Sequence, residues 1–302
     1  MEYKVVMIIR IIKFCVVLPI YIFNYWIKIL SLLNSSIKGF SNDFQLSYLD
    51  GLISNVQHTA SNGKAVKMSF YTPNSLCLFR AKTFSSKEPE TLLWIEEFGK
   101  DEAVLFDIGA NIGLYSIYHN KLNNGKSVGF EPSFLNLKLL LKNVNVNSCQ
   151  SLTSVITNPL SNRSGLSNFK YGSDKEGGSL SAFGVAFGYD GKKIDNNLNL
   201  NVIGFTLDQM LSDKHIDTIP NLVKLDVDGI EHLIIEGAKN TLTHPDCKTI
   251  LVEVNDNFEE QANKVASLLT NYGFTLRNKL HGDMSDGQKL FGDTFNQIWV
   301  KM

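Results

Sequence analysis

Cysteine is scarce and scattered. The four residues, Cys15, Cys77, Cys149 and Cys247, form no CxxC pair, which excludes the usual spacing of a structural zinc site and a small domain built on disulfides. They read as reduced, buried thiols in a reducing compartment, which predicts a cytoplasmic protein. Charge of one sign is lacking too. Lys and Arg number 29 against 30 Asp and Glu, a formal net charge of -1, so no broad positive field steers the chain to nucleic acid, and none is expected as a partner. The six histidines show no metal-ligand spacing, and each reads as structural or exposed. Among them His281, in a loop near the C-terminus, has the best prospect of reaching a site. No internal repeat is present. At 302 residues the chain still suffices for one large domain with an appendage, or two modest ones, and for the core of an enzyme.

The N-terminus has long apolar runs. From Val5 to Leu33 only Arg10, Lys13, Pro19, Asn24, Lys28 and Ser31 interrupt them. At helical periodicity Arg10, Lys13, Asn24 and Lys28 gather into one narrow polar stripe. A wide apolar face with Tyr21, Tyr25 and Trp26 as amphipathic anchors suits a helix lying in a membrane surface. Residues 14–33 also approach the ~20 residues of a spanning helix, and a helix pair packed on the protein's own core is the third alternative. Residues 1–34 are therefore set apart as an apolar, membrane-associated segment. A cleaved signal peptide is disfavoured, because no small-residue cleavage site follows.

Residues 35–100 read as an extension with short strands and a helix. KMSFYTP and SLCLFRA predict two strands around a Pro73-Asn74 turn. Ser85 and Glu88 have capping-box spacing ahead of EPETLLWIEEF, a helix with Pro89 in its first turn. Residues 101–302 then alternate. AVLFD, KSVGFE, SLTSVIT, LVKLDV and KTILVEV predict strands, interleaved with helical faces, among them one helix from Ile230 to about Leu242. That pattern predicts an α/β domain with a mostly parallel sheet covered on both faces. FTLRNKL and TFNQIWVKM predict a terminal hairpin, which places one antiparallel strand in that sheet.

The stretch VLFDIGANIGLYSIY, from Val104 to Tyr118, ends a strand on a carboxylate. In an open parallel sheet the ligand crevice lies beyond the carboxyl ends of the strands, where Asp107 falls. Gly109 supplies backbone conformations closed to other residues, and Gly113 lets the following helix approach the strand. A pyrophosphate would favour an acid-free GxGxxG turn. DxGxxxG instead suits a ligand bearing an ammonium or hydroxyls. Glu131 ends the next strand, near the spacing at which an acid accepts hydrogen bonds from ribose hydroxyls, so the crevice is expected to hold a nucleoside. Asn158 follows the third strand, where it either reads an adenine edge or simply forms a turn. Ser133 is a candidate helix cap.

VLFDIGANIGLYS, VGFEPS, LVKLDVDGIEHLIIEGAKNTL and ILVEVND together resemble the FkbM family of S-adenosylmethionine-dependent methyltransferases. The likeness runs from about Arg80, through RAKTF and EPETLLWI, to the C-terminus. It implies a Rossmann-like class I methyltransferase fold with a seven-stranded sheet, S-adenosylmethionine as cofactor, and O-methylation of a small-molecule, sugar or glycan acceptor. It also puts Asp107, Gly109, Asn111 and Gly113 in the cofactor loop, with Asp107 and Gly109 beside the amino-acid part, Glu131 on the ribose and Asn158 near the adenine. The family pattern usually has Glu where Asp228 stands, a departure that shortens the side chain by one methylene.

Lys224, Asp226, Asp228 and Glu231 cluster beyond the fourth strand and are the catalytic candidates. Methyl transfer to an alcohol needs the oxygen, methyl and sulfur in line and a group that takes the hydroxyl proton. Asp226 is the favoured base or orienting group, with Lys224 as its partner or as the holder of an anionic acceptor group. Alternatively Asp226 or Asp228 caps the next helix, and Glu231 sits in its first turn. Paired acids also suit a divalent cation, but two acids alone assign no metal. Glu253, closing the fifth strand, and Gly178 and Ser179, within a segment holding six glycines over residues 172–191, are the substrate-facing candidates. Rival functions are a metal-dependent nucleotide-sugar transferase using Asp226 and Asp228, and a non-catalytic membrane-tethered binding module.

Overall fold

The computed structural model describes residues 18–19, 21–23, 25–30, 39, 43, 47–100, 102–194, 198–280 and 293–301. The chain divides into two compact units, Met1–Leu52 and Ile53–Met302. In the first, residues 25–30 are helical, and Tyr21, Phe23, Tyr25 and Trp26 are exposed. Among the described residues no helix is long and apolar enough to cross a membrane. Much of the apolar N-terminal run, Cys15 and His281 lie outside the described residues. The other three cysteines are free and buried.

The second unit opens with a hairpin, β1 (Ile53–Thr59) and β2 (Ala65–Tyr71), then helices α1 (Ser75–Lys82) and α2 (Pro89–Phe98). β3 (Leu105–Ile108), α3 (Leu114–Asn123), β4 (Ser127–Phe130), α4 (Phe134–Val146) and β5 (Thr153–Ile156) follow. Next come β6 (Gly165–Lys170), β7 (Ala182–Phe183), β8 (Asn199–Gly204), α5 (Leu207–Ser212) and β9 (Leu222–Leu225). α6 (Glu231–Glu236), α7 (Lys239–Thr243), β10 (Thr249–Asn255), α8 (Glu259–Asn271), β11 (Thr275–Leu280) and β12 (Thr294–Val300) complete it.

Seven strands form the main sheet in the order β11-β12-β10-β9-β3-β4-β5. β10, β9, β3, β4 and β5 run parallel, whereas β12 pairs antiparallel with both β10 and β11. The predicted antiparallel insertion is thus β12, and it lies inside the sheet. β3, β4 and β9 are each buried at every position, as expected of short parallel strands covered on both faces. Alternation divides their side chains between two cores. Phe106, Ile108, Val223 and Leu225 face α6, α7 and α8, while Leu105 and Leu222 face α2 and α3 with Trp94, Ile117 and Tyr118. Asp107 and Lys224 share the parity of the second set. Trp94 is fully buried and donates from Nε1 to the Thr249 hydroxyl at 2.9 Å, so α2 is anchored to the sheet by both shape and a satisfied polar tip.

Three local expectations are corrected. SLCLFRA is helix α1, because the Asn74 side chain accepts the Cys77 N–H at 2.9 Å and starts a helix that buries Cys77 and Ala81. The hairpin lies one segment earlier, closed by Ala60 N–H to the Lys64 carbonyl. Glu88, expected to close a capping box, is itself the residue before α2 and makes no side-chain cap, while Ser85 bonds His58 instead. The helix expected over 230–242 breaks at Gly237, where any Cβ would overlap the Ser161 carbonyl. It restarts as α7, whose Asn240 and Thr241 N–H groups donate to the Asp208 carboxylate. Between β5 and β9 the chain adds a small antiparallel sheet, β7-β6-β8, which the sequence pattern had not revealed.

Candidate active site

The cofactor loop is built where β3 ends. Gly109 has φ +87°, and a Cβ there would overlap the Asp226 carbonyl oxygen, so only glycine lets the loop after β3 lie against the loop after β9. Gly113, φ +85°, precedes α3 and faces Leu140 of α4 at close range. Asp107 sits behind the loop. It is 1% exposed, and its Oδ2 accepts both the Ser116 N–H, at 3.1 Å, and the Ser116 hydroxyl, at 2.7 Å. Its Oδ1 is buried without a partner among the described residues. Burial pushes its carboxyl upward, against the opposing pull of Lys224 and Ser116. Asp107 therefore shapes the first turn of α3 and does not itself line the cavity.

A cavity of about 340 Å³ opens at the carboxyl ends of β3, β4 and β9. Gly109, Asn111, Glu131, Gly178, Ser179, Asp226, Asp228 and Glu253 line it, together with Lys224. Most of the residues singled out in the sequence thus converge on one space. Glu131 is buried, and its two oxygens accept the Asn111 and Ser133 N–H groups, both at 2.8 Å. Ser133 stands before α4 but makes no side-chain cap. Burial raises the Glu131 carboxyl to about 8, partly offset by these donors.

On the acceptor side, Lys224 is almost wholly buried yet charged. Burial alone would lower its pKa, but Asp226, Glu88 and Asp107 outweigh that and raise it. Its Nζ lies 2.7 Å from Asp226 Oδ2 and 5.0 Å from the Tyr115 ring centre. Asp228 takes a left-handed φ of 61° and accepts the Leu180 N–H at 2.6 Å. Burial and the neighbouring Asp226 raise its carboxyl to about 6. The carboxylates of Asp226, Asp228 and Glu253 offer oxygens within 4.8 Å of one another. A cation would fit that spacing, but the Lys224 ammonium already neutralises Asp226. Burial and the nearby acids hold the Glu253 carboxyl well above the usual carboxylate range.

Besides Asp107 and Gly113, which shape the cofactor loop without lining the cavity, two sequence candidates fall elsewhere. Asn158 lies outside the cavity lining, because its Nδ2 donates to the Ile203 carbonyl at 2.9 Å and ties the loop to β8. Glu231 is also absent from the lining. Its carboxylate accepts the Val227 and Gly229 N–H groups and a bond from Gln261, bracing the loop that carries Asp226 and Asp228. Burial raises it to about 8.

Sequence reasoning missed the wall contributed before residue 101. Arg80, Lys87 and Glu88 line the cavity with Tyr115 and Asn136. Glu88 receives Lys87 Nζ at 2.6 Å and the Tyr115 hydroxyl at 2.8 Å. Burial would raise its carboxyl, yet Lys87 and Lys224 prevail and hold it at about 2. The available signal was the stretch from RAKTF to EPETLLWI, whose paired charges Lys87-Glu88 precede a proline helix start.

The geometry is that of a sheet-end pocket with a glycine turn, an acid at the second strand and a lysine-paired acid at the fourth. The sequence profile described as the Methyltransferase FkbM domain matches residues 107–276, more than half of the chain. No curated protein matches in sequence. Among solved structures, the FkbM methyltransferase of Methylobacillus flagellatus KT is 14% identical at a TM-score of 0.43, covering 67% of this chain and 44% of that one. The chain therefore spans less than half of that relative's length. The precorrin-6y C5,15-methyltransferase of Geobacter metallireducens GS-15 is 13% identical at 0.41, covering 70% and 87%. A protein of Clostridium thermocellum described as a putative rRNA methylase is 11% identical at 0.43, covering 72% and 98%. Likenesses this distant identify no substrate, and they lend no support to the expectation that nucleic acid is excluded. With the profile match and the class I arrangement of the sheet together, the chain belongs to the FkbM family of S-adenosylmethionine-dependent methyltransferases.

Proposed function

We propose that the protein moves a methyl group from S-adenosylmethionine to a hydroxyl of a sugar, glycan or other small-molecule acceptor, and that Asp226 orients that hydroxyl and receives its proton. The observation that carries this assignment is the Asp226 carboxylate, held by buried Lys224 at 2.7 Å beside the glycine turn of the cofactor loop. The residues present fit the cofactor. Gly109 lets the cofactor loop lie against the loop that carries Asp226, Glu131 stands at the end of β4 in reach of a ribose, and the surrounding acids suit a positive sulfonium. When bound, S-adenosylmethionine supplies an electrophilic methyl carbon.

The chain's own residues do the rest. Lys224 fixes one oxygen of Asp226 and leaves the other for the acceptor proton, so alignment is set before the acceptor arrives. Gly178 and Ser179 line the opposite wall, where Ser179 offers its hydroxyl to the acceptor, and Glu253 closes the acceptor side. Family membership leaves no ground for the nucleotide-sugar transferase alternative. The exposed aromatic residues Tyr21, Tyr25 and Trp26 support docking of residues 1–34 on a membrane surface, which suits a lipid-linked acceptor. We further assign residues 101–302 as the methyltransferase domain and 35–100 as an extension, of which residues 76–88 supply one wall of the cavity.

Calorimetry with S-adenosylhomocysteine tests the cofactor assignment, and methyl-labelled S-adenosylmethionine incubated with glycan, lipid and RNA fractions tests the acceptor. Label in a glycan or glycolipid is the expected result. Label confined to RNA overturns the acceptor class, and absence of cofactor binding overturns the function.

A further inference from the structure

Helix α1 turns one face to the cavity. Leu76, Phe79 and Arg80, with Thr83 at the C-cap, line it at the spacing of a single helical face, while Cys77 and Ala81 are buried behind. Arg80 is held at its inner nitrogen. Its Nε donates to the Gly177 carbonyl at 2.7 Å, and the next carbonyl along, that of Gly178, accepts Asn111 Nδ2 of the cofactor loop at 2.8 Å. Two successive peptides thus tie the guanidinium to the loop after β3. Asn136 grips the same pair, accepting the Gly177 N–H at 2.8 Å and donating to the Gly178 carbonyl at 3.0 Å, so the peptide on which Arg80 rests is itself fixed.

Of the three cations that line the cavity, two are engaged. Lys87 Nζ lies 2.6 Å from Glu88 and Lys224 Nζ lies 2.7 Å from Asp226. Arg80 differs. With Nε spent on Gly177, its two terminal nitrogens make no ion pair or hydrogen bond among the described residues. Glu176, the acid next to Gly177, instead meets Asn74 Nδ2 and Lys138 Nζ. What remains of the guanidinium is a planar fork of N–H donors matched to a carboxylate. Its orientation is set before any ligand arrives, which lowers the cost of ordering it on binding.

S-adenosylmethionine carries one carboxylate and two positive centres, the ammonium and the sulfonium. The acids of the cavity suit the two cations. A carboxylate entering among five acidic side chains needs a cation of its own, because a buried charge without a partner is costly. We propose that Arg80 holds the α-carboxylate of S-adenosylmethionine through its two terminal nitrogens. This rests on the methyltransferase function above. Lys87 and Lys224 serve that carboxylate only by giving up a partner at ion-pair distance, whereas Arg80 gives up nothing.

The test is a cycle of two ligands against two full-length proteins, wild type and Arg80→Met, read by calorimetry at neutral pH. S-adenosylmethionine and its decarboxylated form share the adenosine, the sulfonium and the amine, and only the first has the carboxylate. Wild type is expected to bind the decarboxylated form about 10- to 100-fold more weakly. In Arg80→Met the two are expected to bind within about threefold of each other, because S-adenosylmethionine alone loses a partner. Loss of the Gly177 bond bears on both ligands alike and cancels in the ratio, as does any difference in how their amines titrate. Lys87→Met is the comparison with a rival cation and is expected to keep the wild-type ratio. A collapse of the ratio there in place of Arg80→Met gives the carboxylate to Lys87 and overturns the proposal. If Arg80→Met does not fold, Arg80→Lys keeps the charge, loses the fork, and is expected to lower the ratio several-fold. A wild-type ratio in a folded Arg80 variant, or equal binding of the two ligands by wild type, also overturns it. Failure of the wild type to bind S-adenosylmethionine at all overturns instead the cofactor assignment on which it rests.

Discussion

Lys224 Nζ and Asp226 Oδ2 lie 2.7 Å apart, with the lysine side chain 2% exposed and the aspartate 26%. The buried partner fixes the more open one, so the carboxylate reaches the cavity at a set angle. Asp226→Asn keeps the shape and removes the proton acceptor. Methyl transfer into whichever fraction the wild type labels is expected to fall about 10²- to 10⁴-fold, while S-adenosylhomocysteine affinity changes little. Equal loss in both measurements would mean that the residue serves binding alone.

Asn158 offers a test in the opposite direction. Its amide is spent on the Ile203 carbonyl at the base of β8, away from the cavity. Asn158→Ala is expected to leave S-adenosylhomocysteine affinity within about twofold, and to lower stability by about 1 kcal/mol through the lost hydrogen bond. A tenfold loss of affinity on calorimetry would return this residue to the adenine.

The sequence exposed the frame of the site because parallel strands announce their ends. A short apolar run that stops on Asp107, Glu131 or Asp226 needs no tertiary information to be placed at the crevice. What each acid does there was less legible. Asp107 lies within β3, in register with Gly129, and turns back to Ser116, whereas Glu131 stands two residues further along, just beyond β4, and faces the cavity. Glu231 reads as catalytic from its spacing, but Gln261, on a helix thirty positions on, helps fix it beneath the loop. Lys87 and Glu88 were hidden by distance along the chain, since no local period links them to Lys224 or Tyr115. SLCLFRA misled for a simpler reason: a seven-residue apolar run fits strand or helix, and the Asn74 cap decides between them.

Gly109 tests how closely the two loops must approach. Its φ of +87° strains any side chain, and the Asp226 carbonyl occupies the Cβ position. Gly109→Ala is expected to cost about 2 kcal/mol or more and to abolish measurable S-adenosylhomocysteine binding, because the Asp226 loop must retreat. Thermal melting and calorimetry on the same sample check both. A variant that melts like wild type and binds normally would show that the loops tolerate separation.

Glu231 makes stability depend on pH in a direction opposite to that of a salt-bridged acid. Burial raises its folded pKa to about 8, above the ~4.3 of an unfolded glutamate. Sign follows from proton binding: below ~4 both states are protonated and no penalty exists, while between there and about 8 the unfolded chain releases a proton that the folded one keeps. Stability therefore falls as pH rises through that window, by at most about 1.4 kcal/mol per pH unit. Glu231→Gln removes the titration and keeps an oxygen for the Val227 and Gly229 N–H groups. The new amide meets Gln261, whose buried Oε1 lacks a partner among the described residues and can accept it once that side chain flips. Relative to wild type, the variant is expected to gain a few kcal/mol between pH 5 and pH 8.5 in urea unfolding. A difference that stays constant across this range would mean that Glu231 is already ionised in the fold, with its two loop N–H donors strong enough to hold a buried charge.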